Sequence, residues 1–450
     1  MKFDPQALSE FAEYYGFHYN IVDPFALKRD TLIDMERGLK GRPSSLPMIP
    51  AYISPVSHVP AGKTVIALDA GGTNFRAALV HFEEEGRAVA ENIKKAPMPG
   101  TEGRVGVTEF FDQIADLTVP LLEEQPNVEG IGFTFSYPME MTKDLDGILL
   151  GFSKEIDAPD VIGKTIGQGL RDALARRSVK APEKIVLIND TAATLLSGVV
   201  QIKKDGGLFR GEDKYHVEAG PVVGFILGTG FNTAYPEKVI PKINFNNPDN
   251  PQIVVCETGG FAHRYMGVLD KEFDAATKNP GVFHEEKLSA GAYLGPLTFI
   301  ILKQAVKDGL IAFRKADEFL ALSGLRTRFL NEFMYAPLSG EGVIGGLFRE
   351  DERDALSSFV YLTSIVTERG ARLAAGVLAA VVEKTAAGLD PFAPVRIAVE
   401  GTTYMIYKGM RHALESCLHT LLTKDKPFNY VVSPVEQASL FGAAVAALSK

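Results

Sequence analysis

Residues 64–82, TVIALDAGGTNFRAALVHF, set a carboxylate, two glycines and two short polar side chains between two apolar runs. Glycines at such a turn let backbone N–H groups approach an anion, and Thr73 and Asn74 add donors beside Gly71 and Gly72. Asp69, closing the first run, is placed to hold a metal ion through water. A plain hairpin tip explains the same residues. A P-loop does not, because the GK[ST] ending is missing, and neither does a dinucleotide fingerprint, because a strand rather than a helix follows. A second turn, GTGFN at 228–232, repeats the plan within FILGTGFNTAY and favours binding at both places. Internal duplication and chance both account for matches this short.

Other side chains join these turns as candidates. IVLINDTAATLLSG, 185–198, ends a β-rich run at Asn189 and Asp190 and passes into a helical segment. A strand-end carboxylate in the crevice of an α/β sheet can act as a base; Asp190 or Thr191 can equally be a helix N-cap. GIGFTFSYPME brings Ser136 to a strand end stopped by Pro138, and GFSKE supplies Ser153 and Lys154, a pair that also reads as solvated surface. CETGGF carries Glu257. HEEKLSAGAYLG puts Glu285 and Glu286 at a helix start, where acids also serve the helix dipole. IAVEGTTY offers a third Gly-Thr turn at Gly401 and Thr402, suited to nucleotide contact through backbone amides. Histidine is unpromising: there is no HExxH, and His58, His81, His263 and His284 lie in unrelated contexts. Taken together, the set is what phosphoryl transfer to a polyol needs.

The elements that must carry these residues follow from periodicity. The first sixty residues read as helices and loops, with DPFALKRDTLIDMERGL at helical spacing before the Pro-rich SLPMIPAYISP breaks the pattern, and the segment is expected to wrap another domain. From residue 64, strands (TVIALD, FRAALVHF, VEGIGFTF, KIVLIND) alternate with helices (VTEFFDQIADLTVPLLEE, IGQGLRDALARR), an α/β order. A second unit runs from the helix TAATLLSGVVQI through a helix-rich stretch at 285–335 and a long helical one to the strand VRIAVEG and a final strand and helix. No low-complexity linker separates the halves, so a hinge is expected in crossing segments.

With 450 residues and 46% hydrophobic content, the chain can build two buried cores of ordinary size. A formal net charge of -9 excludes a general basic field for nucleic acid or anionic membrane, so phosphate recognition must be local. Cys256 and Cys417, far apart and outside any CxxC, exclude a disulfide framework and a cysteine zinc cage. No signal peptide or membrane span is expected, and the reading is a cytoplasmic protein, monomer or homodimer.

In order and spacing, SLPMIP, LDAGGTNFR, GFTFSYP, GILLGFSKE, NDTAATLLSG, GTGFNTAY, EEKLSAGAYLG, VEGTTY and FGAAVAAL resemble the hexokinase family of the actin-like ATPase superfamily over nearly the whole chain. The resemblance implies two actin-like, ribonuclease H-like α/β domains with mixed sheets flanked by helices and a sugar cleft between them. It divides them as 65–189 plus 436–450 (small) and 1–64 plus 190–435 (large). It implies ATP-dependent phosphorylation of a hexose, glucose foremost, at the 6-hydroxyl, the first step of glycolysis. Asp190 becomes the general base, with Lys154 also catalytic. Ser136, Ser153, Lys154, Asn189, Asn232, Glu257 and Glu286 become sugar-binding, and Asp69, Gly71, Gly72, Thr73, Asn74, Arg76, Gly228, Thr229, Gly230, Gly401 and Thr402 become ATP-binding. Mg²⁺ would be shared between Asp69 and the phosphates through water.

VCETGGFAH and EQASLFGAA depart from the family pattern, so sugar selectivity and donor preference are not carried over, while FSK keeps a hydroxyl at Ser153. Two other classes compete: a non-catalytic sugar sensor, against which the intact Asp190 argues, and an actin-like ATPase with a protein partner, which turns over ATP without sugar.

Overall fold

The computed structural model describes residues 2–55, 59–72, 74–84, 87–152, 156–204 (201–204 by backbone alone) and 220–449. Two mixed sheets organise the chain. In the five-stranded sheet the order is Ala88–Pro97, Asn74–Phe82, Lys63–Gly71, Ile131–Phe135, Ile185–Ile188. Its first two pairings are antiparallel and its last two parallel. The six-stranded sheet runs Ile49–Pro50, Gln252–Val255, Phe231–Glu237, Val222–Leu227, Val395–Glu400, Tyr430–Pro434. There too, antiparallel pairing gives way to parallel pairing at Val222–Leu227. Leaving out the short edge strand Ile49–Pro50, both sheets have the order third, second, first, fourth, fifth.

Local chemistry explains the elements. Ile131–Phe135 and Ile185–Ile188 are buried throughout, as strands covered on both faces must be, and read as continuous apolar runs. The helices Pro5–Tyr14 and Pro24–Leu39 both begin Asp-Pro: Asp4 and Asp23 accept the amides of the second and third residues after them, and proline occupies the first helical position, where no N–H is needed. Both helices pack on the 32-residue helix Arg353–Lys384, so the N-terminal segment does wrap the second half. The Pro-rich break after it is not wholly loop, since Ile49–Pro50 pairs with Val254–Val255 at the sheet edge, where proline costs no ladder bond.

The halves are joined by two helices. Asp190–Lys204 leaves the five-stranded sheet and packs on the six-stranded one, while the C-terminal helix Ala438–Leu448 leaves the six-stranded sheet and packs on the five-stranded one. The two helices cover each other, and one apolar cluster, including Ala67, Ile188, Leu195, Ala398 and Ala443, runs through both sheets and both helices. A Cβ on Gly442 would collide with the backbone of Ala193, so only glycine lets the helices lie this close. Among the described residues, no helix is long and apolar enough to cross a membrane.

Candidate active site

The site begins where Ile185–Ile188 ends. Asn189 Oδ1 accepts the Thr191 amide at 2.8 Å, so the helix-capping role falls on Asn189 and not on Asp190 or Thr191. The Asp190 carboxyl is left to accept the Thr191 hydroxyl at 3.2 Å, with Ser136, which follows the adjacent strand, near enough to favour its charged form. Burial pushes the Asp190 carboxyl above the usual range, Thr191 and Ser136 oppose this, and the nearby charge of Asp69 adds to it.

Glu257 and Glu286 arrive from two other segments and are held by the second hairpin. Glu257 follows Gln252–Val255 with φ +57, a left-handed conformation that costs a non-glycine residue free energy and is characteristic of functional sites. Its Oε1 accepts Asn232 Nδ2 at 2.9 Å. Burial, against that bond and with the charges of Asp190 and Glu286, raises its pKa to about 7. Glu286, in the helix His284–Ser289, accepts the Phe231 amide at 3.1 Å, and a Cβ on Gly230 would stand 2.9 Å from its Oε2. Its pKa is raised too, by burial first and then by Asp190, while the Phe231 amide and Lys287 pull the other way. The structure thus brings together Ser136, Asn189, Asp190, Asn232, Glu257 and Glu286; the Asn189 side-chain oxygen serves as a helix cap.

The first hairpin forms the charged end. Asp69 and Arg76 are cross-strand partners, as Gly71 and Asn74 are at its tip. Asp69 Oδ2 accepts from Arg76 Nε at 2.9 Å, from Arg76 Nη2, and from the Ser439 hydroxyl at 3.0 Å. Asp69 is 2% exposed, yet among the described residues its Oδ1 is buried without a hydrogen-bond partner, 3.3 Å from where a Cβ on Gly71 would sit. The Tyr137 hydroxyl donates to the Gly72 carbonyl and pins the turn. Glu400 was not among the residues singled out from sequence. It ends Val395–Glu400, accepts the Thr194 hydroxyl at 3.3 Å, and is raised to about 7 by burial and by the charges of Asp190 and Asp69. Its sequence signal was the same as that of Asp190, a carboxylate at a strand end before a turn.

An orphaned buried carboxylate oxygen among hard oxygen donors fits a hydrated Mg²⁺, and Asp69 is the residue that would hold it. Among the described residues, no group of three or more His, Cys, Asp or Glu side chains is placed to hold a metal ion.

The remaining glycine turns meet each other. A Cβ on Gly228 would lie 3.2 Å from Gly401 Cα, and one on Gly401, at φ +126, would strike the Leu227 carbonyl. The Gly228 carbonyl accepts the Thr403 hydroxyl at 2.7 Å and the Gly291 amide at 2.8 Å, and the Thr229 carbonyl accepts the Ala292 amide at 3.1 Å. Gly228, Thr229, Gly401 and Thr402 therefore share one bare stretch of backbone. Thr73, Ser153 and Lys154 lie outside the described residues.

One expectation is corrected. His263 and His284 do not lie in unrelated places: their rings are 6.5 Å apart. The link crosses from the loop after Glu257 to the helix carrying Glu286, a tertiary contact without local signal.

Family models described as hexokinase match residues 23–200 and 222–449. Hexokinase-5 of Oryza sativa subsp. japonica is 30% identical over 463 residues, covering 95% of this chain and 87% of that protein. Hexokinase-3 of Homo sapiens is 28% identical over 407 residues, 85% of this chain but 42% of that protein, so the chain spans less than half of that longer relative. A hexokinase from Schistosoma mansoni, solved in complex with glucose, superposes with a TM-score of 0.75 at 23% identity over 99% of both chains, a likeness of fold. The doubled sheet plan, the carboxylates at the strand ends and the matches along both halves lead to one conclusion: the chain belongs to the hexokinase family of kinases.

Proposed function

We propose that the protein transfers the γ-phosphoryl group of ATP to the 6-hydroxyl of a hexose, glucose foremost, with Asp190 as general base. The observation that carries the reading is Asp190 itself, released from capping by Asn189 and half-buried near Ser136 and within the electrostatic reach of Glu257 and Glu286. Two carboxylates with hydroxyl-accepting oxygens, next to a base and facing a charged turn, suit a polyol at one end and a phosphate chain at the other.

Glu257, Glu286 and Asn232 bind and orient the sugar hydroxyls, and Ser153 and Lys154 are assigned to the same task by the family motif. Phosphoryl transfer has a loose transition state, so Asp190 acts chiefly by aligning the hydroxyl and taking its proton late. Its raised pKa matches that role, because a more basic carboxyl accepts the proton more readily. Gly71, Gly72, Thr73 and Asn74 offer donors to the transferring phosphate, with Arg76 anchoring Asp69 behind them, and Gly228, Thr229, Gly230, Gly401 and Thr402 line the nucleotide. Asp69 would hold Mg²⁺ through water, and the ion would there neutralise phosphate charge. Residues 65–189 with 436–450 form the domain that closes over the sugar held by 1–64 and 190–435, excluding water that would otherwise attack ATP.

The test is ADP release with and without a panel of hexoses, for the parent and Asp190→Ala. Hexose-dependent release lost in the variant is expected. Hexose-independent ATP turnover, or a parent inert towards every hexose, overturns the reading.

A further inference from the structure

On the segments that carry Glu257 and Glu286 lies a group of buried polar atoms that the reaction does not use. Glu285 is fully buried, and among the described residues neither of its carboxylate oxygens has a hydrogen-bond partner; His263 Nε2 and His284 Nδ1 are likewise buried and unpartnered there. Native interiors seldom leave such atoms unmet, because a buried carboxylate without donors is costly.

The neighbouring cations are committed elsewhere. Lys287 donates to Asp274 and, at 2.5 Å, to the Asn279 carbonyl. Arg369 gives both terminal nitrogens to Asp270, at 2.6 and 2.8 Å. His263 Nε2 stands 3.4 Å from Glu285 Oε2, a distance at which the two attract, although the angle falls short of a hydrogen bond. The other ring nitrogen decides the tautomer. His263 Nδ1 accepts the Tyr265 amide at 3.3 Å, which leaves the ring proton on Nε2, the nitrogen 3.4 Å from Glu285 Oε2.

The two partners sit on the segments that carry the sugar carboxyls. His263 follows the short 3₁₀ turn Thr258–Gly260 that begins at Glu257, and Glu285 precedes Glu286 in His284–Ser289. These segments touch elsewhere as well: a Cβ on Gly259 would lie 3.2 Å from Glu286 Oε2. A sugar bridging Glu257 and Glu286 would draw these two segments together, and the 3.4 Å gap between His263 and Glu285 spans the same two segments. Catalytic hydrogen bonds that are long before substrate binds commonly tighten afterwards.

We infer that His263 and Glu285 are positioning residues, a buried donor–acceptor clamp that sets the spacing of Glu257 and Glu286 and closes when hexose binds. The inference rests on the proposed hexose-binding role of those two carboxyls. His263→Asn withdraws the donor from Glu285, whereas His263→Gln restores an N–H near the Nε2 position; Glu285→Ala removes the acceptor.

In steady-state assays His263→Asn and Glu285→Ala are expected to raise the hexose KM about tenfold, in line with the loss of one such bond. The ATP KM should stay within about twofold and kcat should fall less than the hexose KM rises. His263→Gln should recover most of the loss, and the double variant should be no worse than either single one, as for two ends of one contact. A hexose KM within about twofold of the parent in both single variants, or additive losses in the double, overturns the clamp. Should the variants fail to fold, ¹⁵N spectra of the parent decide: hexose is expected to shift the His263 Nε2–H signal, and an unchanged ring signal on saturation with hexose overturns the clamp. A parent without hexose-dependent ADP release would instead defeat the proposed function, so the two failures are separate.

Discussion

The two sheets share one strand order, yet they end their strands on different chemistry. In the first half, Lys63–Gly71 carries Asp69 near its end and Ile185–Ile188 runs into Asp190, whereas in the second the corresponding strand Val222–Leu227 runs into Gly228, and Val395–Glu400 into Gly401. At these strand ends the first half supplies carboxylates and the second supplies glycine backbone that a ligand can approach. The second half adds carboxyls of its own, Glu257, Glu286 and Glu400, each of which feels the charge of Asp190, and the Thr194 hydroxyl lies between Glu400 and the Asp190 backbone carbonyl. One architecture duplicated in a chain can therefore divide the demands of phosphoryl transfer, neutralisation and proton acceptance on one side and close nucleotide contact on the other.

The largest expected break in this division is Asp190→Ala. It removes the proposed base while leaving the Asn189 cap intact, so kcat should fall about 10²–10⁴-fold with the thermal midpoint nearly unchanged, read by a coupled ADP assay beside a melting curve. Next comes Asp69→Ala, which strips Arg76 of its partner and the candidate Mg²⁺ site of its orphaned oxygen. We expect kcat/KM to drop about 10²-fold, as for loss of one electrostatic element in a preorganised site, and the Mg²⁺ concentration giving half-maximal rate to rise.

Gly401→Ala probes the backbone side. At φ +126, with the Leu227 carbonyl in the way, the substitution should cost about 1–3 kcal/mol of strain and raise the ATP KM more than the hexose KM, as substrate titrations would resolve. An equal effect on both would blur the division between halves.

The smallest effect is a pH dependence. With its pKa raised to about 7, the Glu257 carboxyl takes up a proton as pH falls through neutrality, so the hexose KM should rise several-fold between about pH 7.5 and 6, and Glu257→Gln should flatten that slope. The sign for stability is opposite: the folded state holds this proton more tightly than the unfolded chain, so unfolding releases it. The contribution of Glu257 is then present at acid pH and lost as pH rises from about 4.5 to about 7, which sugar-free melting curves of parent and Glu257→Gln can compare.

What sequence made legible was local. The hairpin at residues 64–82 follows from two β-rich runs and a glycine turn, and its register alone sets Arg76 opposite Asp69. The strand-end position of Asp190 was readable, but base and N-cap could not be told apart, because Asn189, Asp190 and Thr191 are all fit to cap and only the folded backbone assigns the role to Asn189. The same strand-end signal at Glu400 went unread, since a carboxylate gains meaning only when its surroundings remove water from it.

The amino-acid sequence by itself determined the α/β alternation, the doubled Gly/Thr hairpins, the Asp-Pro helix starts and the family to which they belong. Each depends on residues within a few positions of one another, where backbone propensity and turn chemistry act directly. Tertiary structure alone decided that Ser439 steadies Asp69, a contact spanning 370 positions, that Tyr137 pins Gly72, and that His263 meets Glu285. Those contacts arise from the packing of whole sheets and helices, and desolvation, which sets the basicity of Asp190, Glu257 and Glu400, exists only once that packing is complete.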